Sequence, residues 1–238
     1  MIPPMAPERI VTENPLALAE RAAAWIASVL RATVARRGHC AMALAGGNTP
    51  APVYRLLAHL ADIPWTRVIL YFGDERGVPP DDARSNFRLV NDNLLSGLPE
   101  PPARVHRMQA ERPDREAAAA EYDALLPAAL DLLLLGMGED GHIASLFPHQ
   151  PPLHETHRRV VPTIGGTPLL PRLTVTPPVI REARRVCVLA AGPAKAAAVT
   201  RALEGEEDFA AVPAQLARGA TWILDRAAAA RLSGAFTR

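Results

Sequence analysis

The run DLLLLGMGEDGHIASLFP at residues 131–148 decides the fold. Leucines occupy four successive positions, Leu132 to Leu135, so a strand there presents apolar side chains to both of its faces. That is the mark of a parallel sheet covered by helices. The run is too short for a helix and ends in glycine, as a buried strand running into a loop does. Outward from it the same grammar recurs. Strand-length apolar runs stand at 41–45 and 68–72 before it and at 173–175, 186–190 and 222–224 after it. Between them lie segments of helical period, at 15–37, 50–60, 85–95, 193–203 and 225–232; in the first, Leu18, Ala22, Trp25, Ile26 and Val29 recur at three- and four-residue steps. The alternation predicts one α/β domain over 1–238, Rossmann-like, with a mostly parallel sheet and helices on both faces. Ligands of such sheets bind outside the carboxyl ends of the strands. Chemistry is therefore expected in the loops after Ala45, Phe72, Leu135 and Ala190.

Bulk properties narrow the function. The chain has 238 residues, 49% hydrophobic and 21% charged, which excludes disorder, and its 26 basic against 25 acidic side chains exclude nucleic acid as the main ligand. Cys40 and Cys187 lie apart in apolar segments without a CxxC pair, and read as buried thiols rather than as metal ligands or a disulfide. The opening MIPPMAPERIVTENP has no basic cluster followed by an apolar run. No stretch reaches the ~20 apolar residues of a membrane span, so no membrane partner and a cytoplasmic location are expected. His149, His154 and His157 with Glu155 sit in a Pro-rich stretch with no helix face to focus them, and read as a solvated loop rather than a zinc site.

Each of the four loops is unusual. After the first strand, Gly46-Gly47-Asn48-Thr49-Pro50 puts proline at the first position of a helix, and the glycines let backbone N–H groups converge on an anion at its N-terminus. The same residues also make an ordinary tight turn. No GKS or GKT follows, so a nucleoside triphosphate is not implied. The second strand ends in Gly73-Asp74-Glu75-Arg76. Alternation along a strand sets Asp74 and Glu75 on opposite faces, leaving one to face a ligand, while Arg76 offers a planar fork to a phosphate and Asn86 a further polar contact. In the third loop Gly136, Gly138 and Gly141 satisfy GxGxxG, yet Pro148, Pro151 and Pro152 cut short the helix a dinucleotide needs, and 159–162 supplies no acidic residue for a ribose. No nicotinamide cofactor is expected. The glycines instead serve to hold Asp140 and His142 at a helix N-terminus, where the dipole favours a neutral imidazole, a competent general base; a histidine merely capping its helix is the plainer alternative. In the fourth loop, Ala191-Gly192-Pro193-Ala194-Lys195, a lysine stands where the helix dipole disfavours a cation, which suggests an anionic partner if it is not simply solvated. Either Arg172 or Arg181 is expected to face the same ligand.

Together the segments LAGGNTP, FGDERGVPPDDARSNFRL, GMGEDGHIASLFP, TPPVI and AAGPAK, in this order over residues 44–195, resemble the 6-phosphogluconolactonase family, itself similar to the glucosamine-6-phosphate deaminases. The resemblance implies a fold like that of the deaminases. It also implies a phosphate held by the glycine turn, Arg76 and Lys195, a site that includes Gly141, and His142 as acid/base residue. Asn48 stands where the family commonly has serine. The deaminases follow GEDGHIA with phenylalanine, asparagine and a catalytic glutamate; here Ser145, Leu146 and Phe147 occupy those positions. The implied activity is hydrolysis of a sugar-phosphate lactone by a monomer or weak homo-oligomer, without cofactor or metal. A deaminase-like isomerase and a non-catalytic sugar-phosphate-binding domain are the alternatives.

Overall fold

The computed structural model describes residues 8–234. MIPPMAP, the first part of the opening read above as carrying no leader, lies outside the described residues. In chain order the elements are β1 (Arg9–Thr12), α1 (Pro15–Arg37), β2 (Cys40–Leu44), α2 (Pro50–His59), β3 (Val68–Phe72), β4 (Asp74–Arg76), α3 (Asn86–Asn93), β5 (Arg104–Val105), α4 (Arg115–Leu125), β6 (Leu132–Gly136), β7 (Val160–Gly165), β8 (Leu170–Val175), α5 (Pro177–Glu182), β9 (Val186–Ala190), α6 (Ala196–Glu204) and β10 (Thr221–Asp225). Local chemistry sets their ends. The Asn14 side chain accepts from Ala17 N at 3.0 Å and Pro15 opens α1, while Gly38, left-handed at φ 79°, closes it.

Seven strands form one sheet in the order β1-β10-β9-β6-β2-β3-β5, every pair parallel. All five residues of β2 are buried, so both faces of the sheet are covered, as the leucine run of β6 required. The chain leaves β2 toward β3 on one side and leaves β6 toward β9 on the other. These opposite departures open a crevice outside the carboxyl ends of β2 and β6, a topological switch point. A second, antiparallel sheet, β4-β8-β7, begins one residue after β3 and is tied to the first where Val175 N donates to Gly73 O at 2.9 Å. Among the described residues no helix is long and apolar enough to cross a membrane. Both cysteines are free and buried, and burial pushes the Cys40 thiol up to about 12.

Three expectations need correction. Residues 226–231 form turns, not a helix, because the buried Asp225 carboxylate accepts from Ala228 N at 2.7 Å and from Gly192 N at 3.0 Å, bending the chain at the end of β10. The helix expected from 193 begins as a 3-10 turn at Pro193–Lys195, and the α-helix proper starts at Ala196. The third, the helix expected after His142, belongs with the site. The periodicity also passed over α4, whose alanine-rich sequence carries a weak apolar stripe despite its Asp114 cap, and over the short strands β1 and β5.

Two buried tyrosines clamp the strands that feed the crevice. From α2 the Tyr54 hydroxyl donates to Ala45 O at 2.7 Å and accepts from Ala45 N at 2.9 Å; from α4 the Tyr122 hydroxyl accepts from Phe72 N at 2.7 Å and donates to Phe72 O at 3.1 Å. Tyr54→Phe strands a buried N–H, so it is expected to cost about 1–3 kcal/mol of stability, read as a lower urea midpoint at unchanged slope. A midpoint unmoved by the substitution counts against the clamp.

Candidate active site

Four strand-end loops and the tip of the β7–β8 hairpin enclose a cleft of about 450 Å³ at the switch point. Its wall includes Gly46, Gly47, Asn48, Thr49, Asp74, Arg76, Gly138, His142, Phe147, Gly166, Arg172 and Lys195. The strand-end loops, distant in sequence, meet here because the strands they follow belong to one parallel sheet whose carboxyl ends point the same way, while Gly166 and Arg172 come from the antiparallel sheet.

The glycine turn precedes α2 with Pro50 in the first helical turn. Gly47 is left-handed at φ 97°, and a Cβ on Gly46 would overlap the Asn86 side chain. The side chains of Asn48 and Thr49 have no hydrogen-bond partner among the described residues, and Thr49 does not cap the helix it precedes.

From the second loop, Asp74 and Glu75 point apart as alternation requires. Glu75 is 3% exposed and belongs to the scaffold: it accepts from Arg76 N, Asn86 N and Phe87 N at 2.7–2.8 Å and from the Ser85 hydroxyl at 3.0 Å. Burial nonetheless holds its pKa above the usual carboxylate range, with the N–H donors opposing. Asp74 faces the cleft but is already engaged, Oδ1 by Asn86 Nδ2 at 3.1 Å and Oδ2 by the Ser145 hydroxyl at 2.6 Å. Asn86 is buried behind the wall, where its Oδ1 accepts from Arg76 Nη1 at 2.5 Å. Arg76 Nη1 also donates to Arg84 O at 2.8 Å, and its buried Nε has no partner among the described residues.

The third loop departs from expectation. Residues 137–150 contain no helix: Met137 bridges Ile143, Ile143 bridges Leu146, and Ala144 is left-handed at φ 49°. Left-handed Ala144, the bridges and Pro148 together deny the chain a run of helical residues, so no dipole acts on His142. Its tautomer rests on Asp140 instead. The Asp140 carboxylate lies 2.6 Å from His142 Nδ1 and accepts from His142 N at 3.0 Å. Burial raises the Asp140 pKa, but the hydrogen bonds and charge of His142 outweigh it and hold the carboxyl below the usual range. An ionised carboxylate only accepts, so Nδ1 carries the proton and Nε2 is left as the basic nitrogen. Gly138 leaves room for this pair, since a Cβ there would overlap the imidazole. Gly141, left-handed at φ 91°, packs against Val212 behind the loop and is not on the cleft wall.

Lys195 reaches the cleft from the turn before α6, its side chain without a hydrogen bond or ion pair among the described residues. The fold thus brings together His142, the glycine turn with Asn48 and Thr49, Asp74, Arg76 and Lys195, while Asp140, Asn86 and Gly141 stand behind them. Of the two arginines left open, Arg172 lines the cleft; Arg181 lies in a separate cavity beside Trp25. In the Pro-rich stretch read as a solvated loop, the Glu155 carboxylate accepts from three backbone N–H groups and from Arg158. Sequence reasoning had Phe147 only as the residue in place of the deaminase glutamate, whereas its ring centroid lies 4.6 Å from that of His142, and it passed over the hairpin tip at Gly166 and Thr167. No motif announced them; the hairpin reaches the cleft only by pairing with β4.

The family model for glucosamine-6-phosphate isomerases/6-phosphogluconolactonase matches residues 13–224. A 6-phosphogluconolactonase of Synechocystis is 37% identical, covering 96% of this chain and 99% of the relative, and one of Streptomyces coelicolor is 40% identical, covering 95% of each. Among solved structures, a 6-phosphogluconolactonase from Thermotoga maritima superposes with a TM-score of 0.81 at 28% identity, covering 92% of this chain and 99% of that one. A monomeric glucosamine-6-phosphate deaminase gives 0.82 at 25% identity, covering 94% and 99%.

Proposed function

Because the chain belongs to the glucosamine-6-phosphate isomerase/6-phosphogluconolactonase family and is a lactone hydrolase of the 6-phosphogluconolactonase class, an activity of the pentose phosphate pathway, we propose that His142 is its general acid/base and that no metal takes part. The substrate is 6-phospho-D-glucono-1,5-lactone. The observation that carries the reading is the 2.6 Å contact between Nδ1 of His142, on the cleft wall, and the Asp140 carboxylate behind it, which leaves Nε2 as the nitrogen Asp140 does not engage. Nε2 takes a proton from water as the water oxygen bonds to C1 and the carbonyl electrons move to its oxygen. Collapse of the tetrahedral intermediate breaks the bond from C1 to the ring oxygen, and His142 returns the proton to that oxygen. Solvent takes the proton of the new carboxylic acid, leaving 6-phosphogluconate. The glycine turn, Arg76 and Lys195 hold the phosphate, the two side chains supplying its counter-charge. Hydrolysis by water bound to His142 needs no Lewis acid, and among the described residues no three His, Cys, Asp or Glu side chains group as metal ligands. Two buried free thiols suit a reducing compartment such as the cytoplasm.

Against the deaminase reading stands Phe147, an uncharged ring beside His142 where that chemistry uses a carboxylate. The protein treated with chelator is expected to accelerate hydrolysis of the phosphorylated lactone above its spontaneous rate and to release no ammonia from glucosamine 6-phosphate. Loss of activity to the chelator, restored by a divalent cation, defeats the metal-free mechanism; ammonia release transfers the chain to the deaminases.

A further inference from the structure

Arg76 and Arg172 are direct partners across β4 and β8. Like charges placed opposite one another on a ladder repel, and Arg172 is only 9% exposed, so it also loses hydration. Burial lowers its pKa, Asp74 opposes that, and Arg76 adds to the lowering. Among the described residues the carboxylate within 4 Å of Arg172 is that of Asp74, whose Oδ2 lies 3.7 Å from Arg172 Nη1, with the Ser145 hydroxyl accepting from Nη1 at 3.4 Å. Glu75 is spent on backbone amides. One carboxylate against two guanidiniums leaves this stretch of the wall positive, an arrangement that an incoming anion relieves.

The two arginines are fastened to different neighbours. Arg76 is fastened to Asn86, the side chain that touches the glycine turn. Arg172 is fastened to Gly165 O at 3.0 Å, and its guanidinium lies 5.5 Å from the Phe147 ring that also packs on His142. Gly165 and Gly166 are bare where the Phe147 ring and Arg172 Nη2 pass; a Cβ at either would overlap them. The loop that carries His142 is meanwhile poor in donors for a developing oxyanion. The Gly138 amide donates to His142 O, that of Gly141 to Gly138 O and that of His142 to Asp140. The remaining amides there belong to Glu139 and Asp140, whose own carboxyl groups disfavour negative charge.

Resting on the lactone-hydrolase reading, we propose that Arg172 is a further catalytic residue, its guanidinium donating to the C1 oxygen as charge builds there and then to the carboxylate that hydrolysis leaves. Asp74 and Ser145 are its positioning residues.

The test uses the full chain with Arg172→Gln and Arg172→Lys, and two ligands that share a phosphate. 6-Phosphogluconate has the C1 carboxylate; glucitol 6-phosphate has a hydroxyl in its place. With Arg172→Gln, kcat should fall about 10²-fold on the phosphorylated and the unphosphorylated lactone alike, as when one oxyanion donor is removed. Calorimetry should show 6-phosphogluconate binding weakened by about tenfold or more, the worth of a hydrogen bond to a charged group, while glucitol 6-phosphate binds as before. Arg172→Lys should lie between. Weakening of both ligands in both variants, or an undiminished kcat in Arg172→Gln, overturns the assignment. If the unaltered protein hydrolyses neither lactone, the lactone-hydrolase reading falls, whereas the comparison of the two ligands still judges the arginine.

Discussion

Replacing His142 by alanine is expected to lower kcat by about 10²–10⁴-fold, with a smaller effect on KM. The size follows from what the side chain supplies. Water is a poor nucleophile until a base takes its proton, and His142 is the cleft-wall imidazole whose Nδ1 is held by Asp140 and whose Nε2 is not. Phosphate recognition rests on other loops, so affinity should largely survive. Asp140 sharpens the test. Asp140→Asn keeps a side-chain oxygen near Nδ1 but removes the charge that favours the productive tautomer, so kcat should fall less than in His142→Ala. In the double variant the second loss should add little, because the two residues act as one unit. Circular dichroism must show each variant folded. A folded His142→Ala protein with ordinary turnover leaves the mechanism without its base.

Arg76→Ala or Lys195→Ala is expected to cost about 2–4 kcal/mol in kcat/KM on the phosphorylated lactone, as truncating one partner of a buried charge pair does, and far less on unphosphorylated gluconolactone. Three separate features converge on one explanation: the Gly46-Gly47 turn before α2, a lysine without a partner among the described residues, and an arginine whose buried Nε has none. A shared phosphate accounts for all of them. Arg76→Lys should still weaken binding although it keeps the charge. A lysine cannot hold Asn86 Oδ1 and Arg84 O with one arm and offer a second donor to the ligand with another. Inorganic phosphate should compete with the true substrate for the same reason. The decisive quantity is the ratio between substrates. Equal losses on the two lactones mean that these residues do not read the phosphate. The contrast with Arg172 is deliberate, since its removal is expected to slow both lactones equally.

Much of this was legible before any coordinates. Leu132 to Leu135 could only be a strand covered on both faces, and the glycine that ends it could only open a loop. Proline after Gly46-Gly47 marked the start of α2, because such signals act within a few residues of the chain. Local signals also misled. GEDGHIA looked like a helix start, yet cross-bridges from Met137 and Leu146 to Ile143 hold the segment in turns, and β pairing across a loop leaves no period to read. Asp225 looked like the start of a helix, but its carboxylate is shared with Gly192 from the loop after β9, a partner that period cannot reveal.

By itself, then, the sequence determined which segments are strands and helices and which loops carry polar groups suited to an anion and a proton transfer. Propensity, periodicity and turn chemistry are properties of neighbours in the chain. Tertiary structure alone decided which of those groups share a cleft. Strand order set the loops after β2 and β6 at the switch point, and the antiparallel pairing of β4 with β8 carried Arg172 to the wall and left Arg181 elsewhere. The Ser145–Asp74 and Arg172–Ser145 contacts join residues 71 and 27 positions apart, with roles set by burial and by how one guanidinium is neutralised. Such energies depend on distance in space and on exclusion of water, and neither is written in the order of residues.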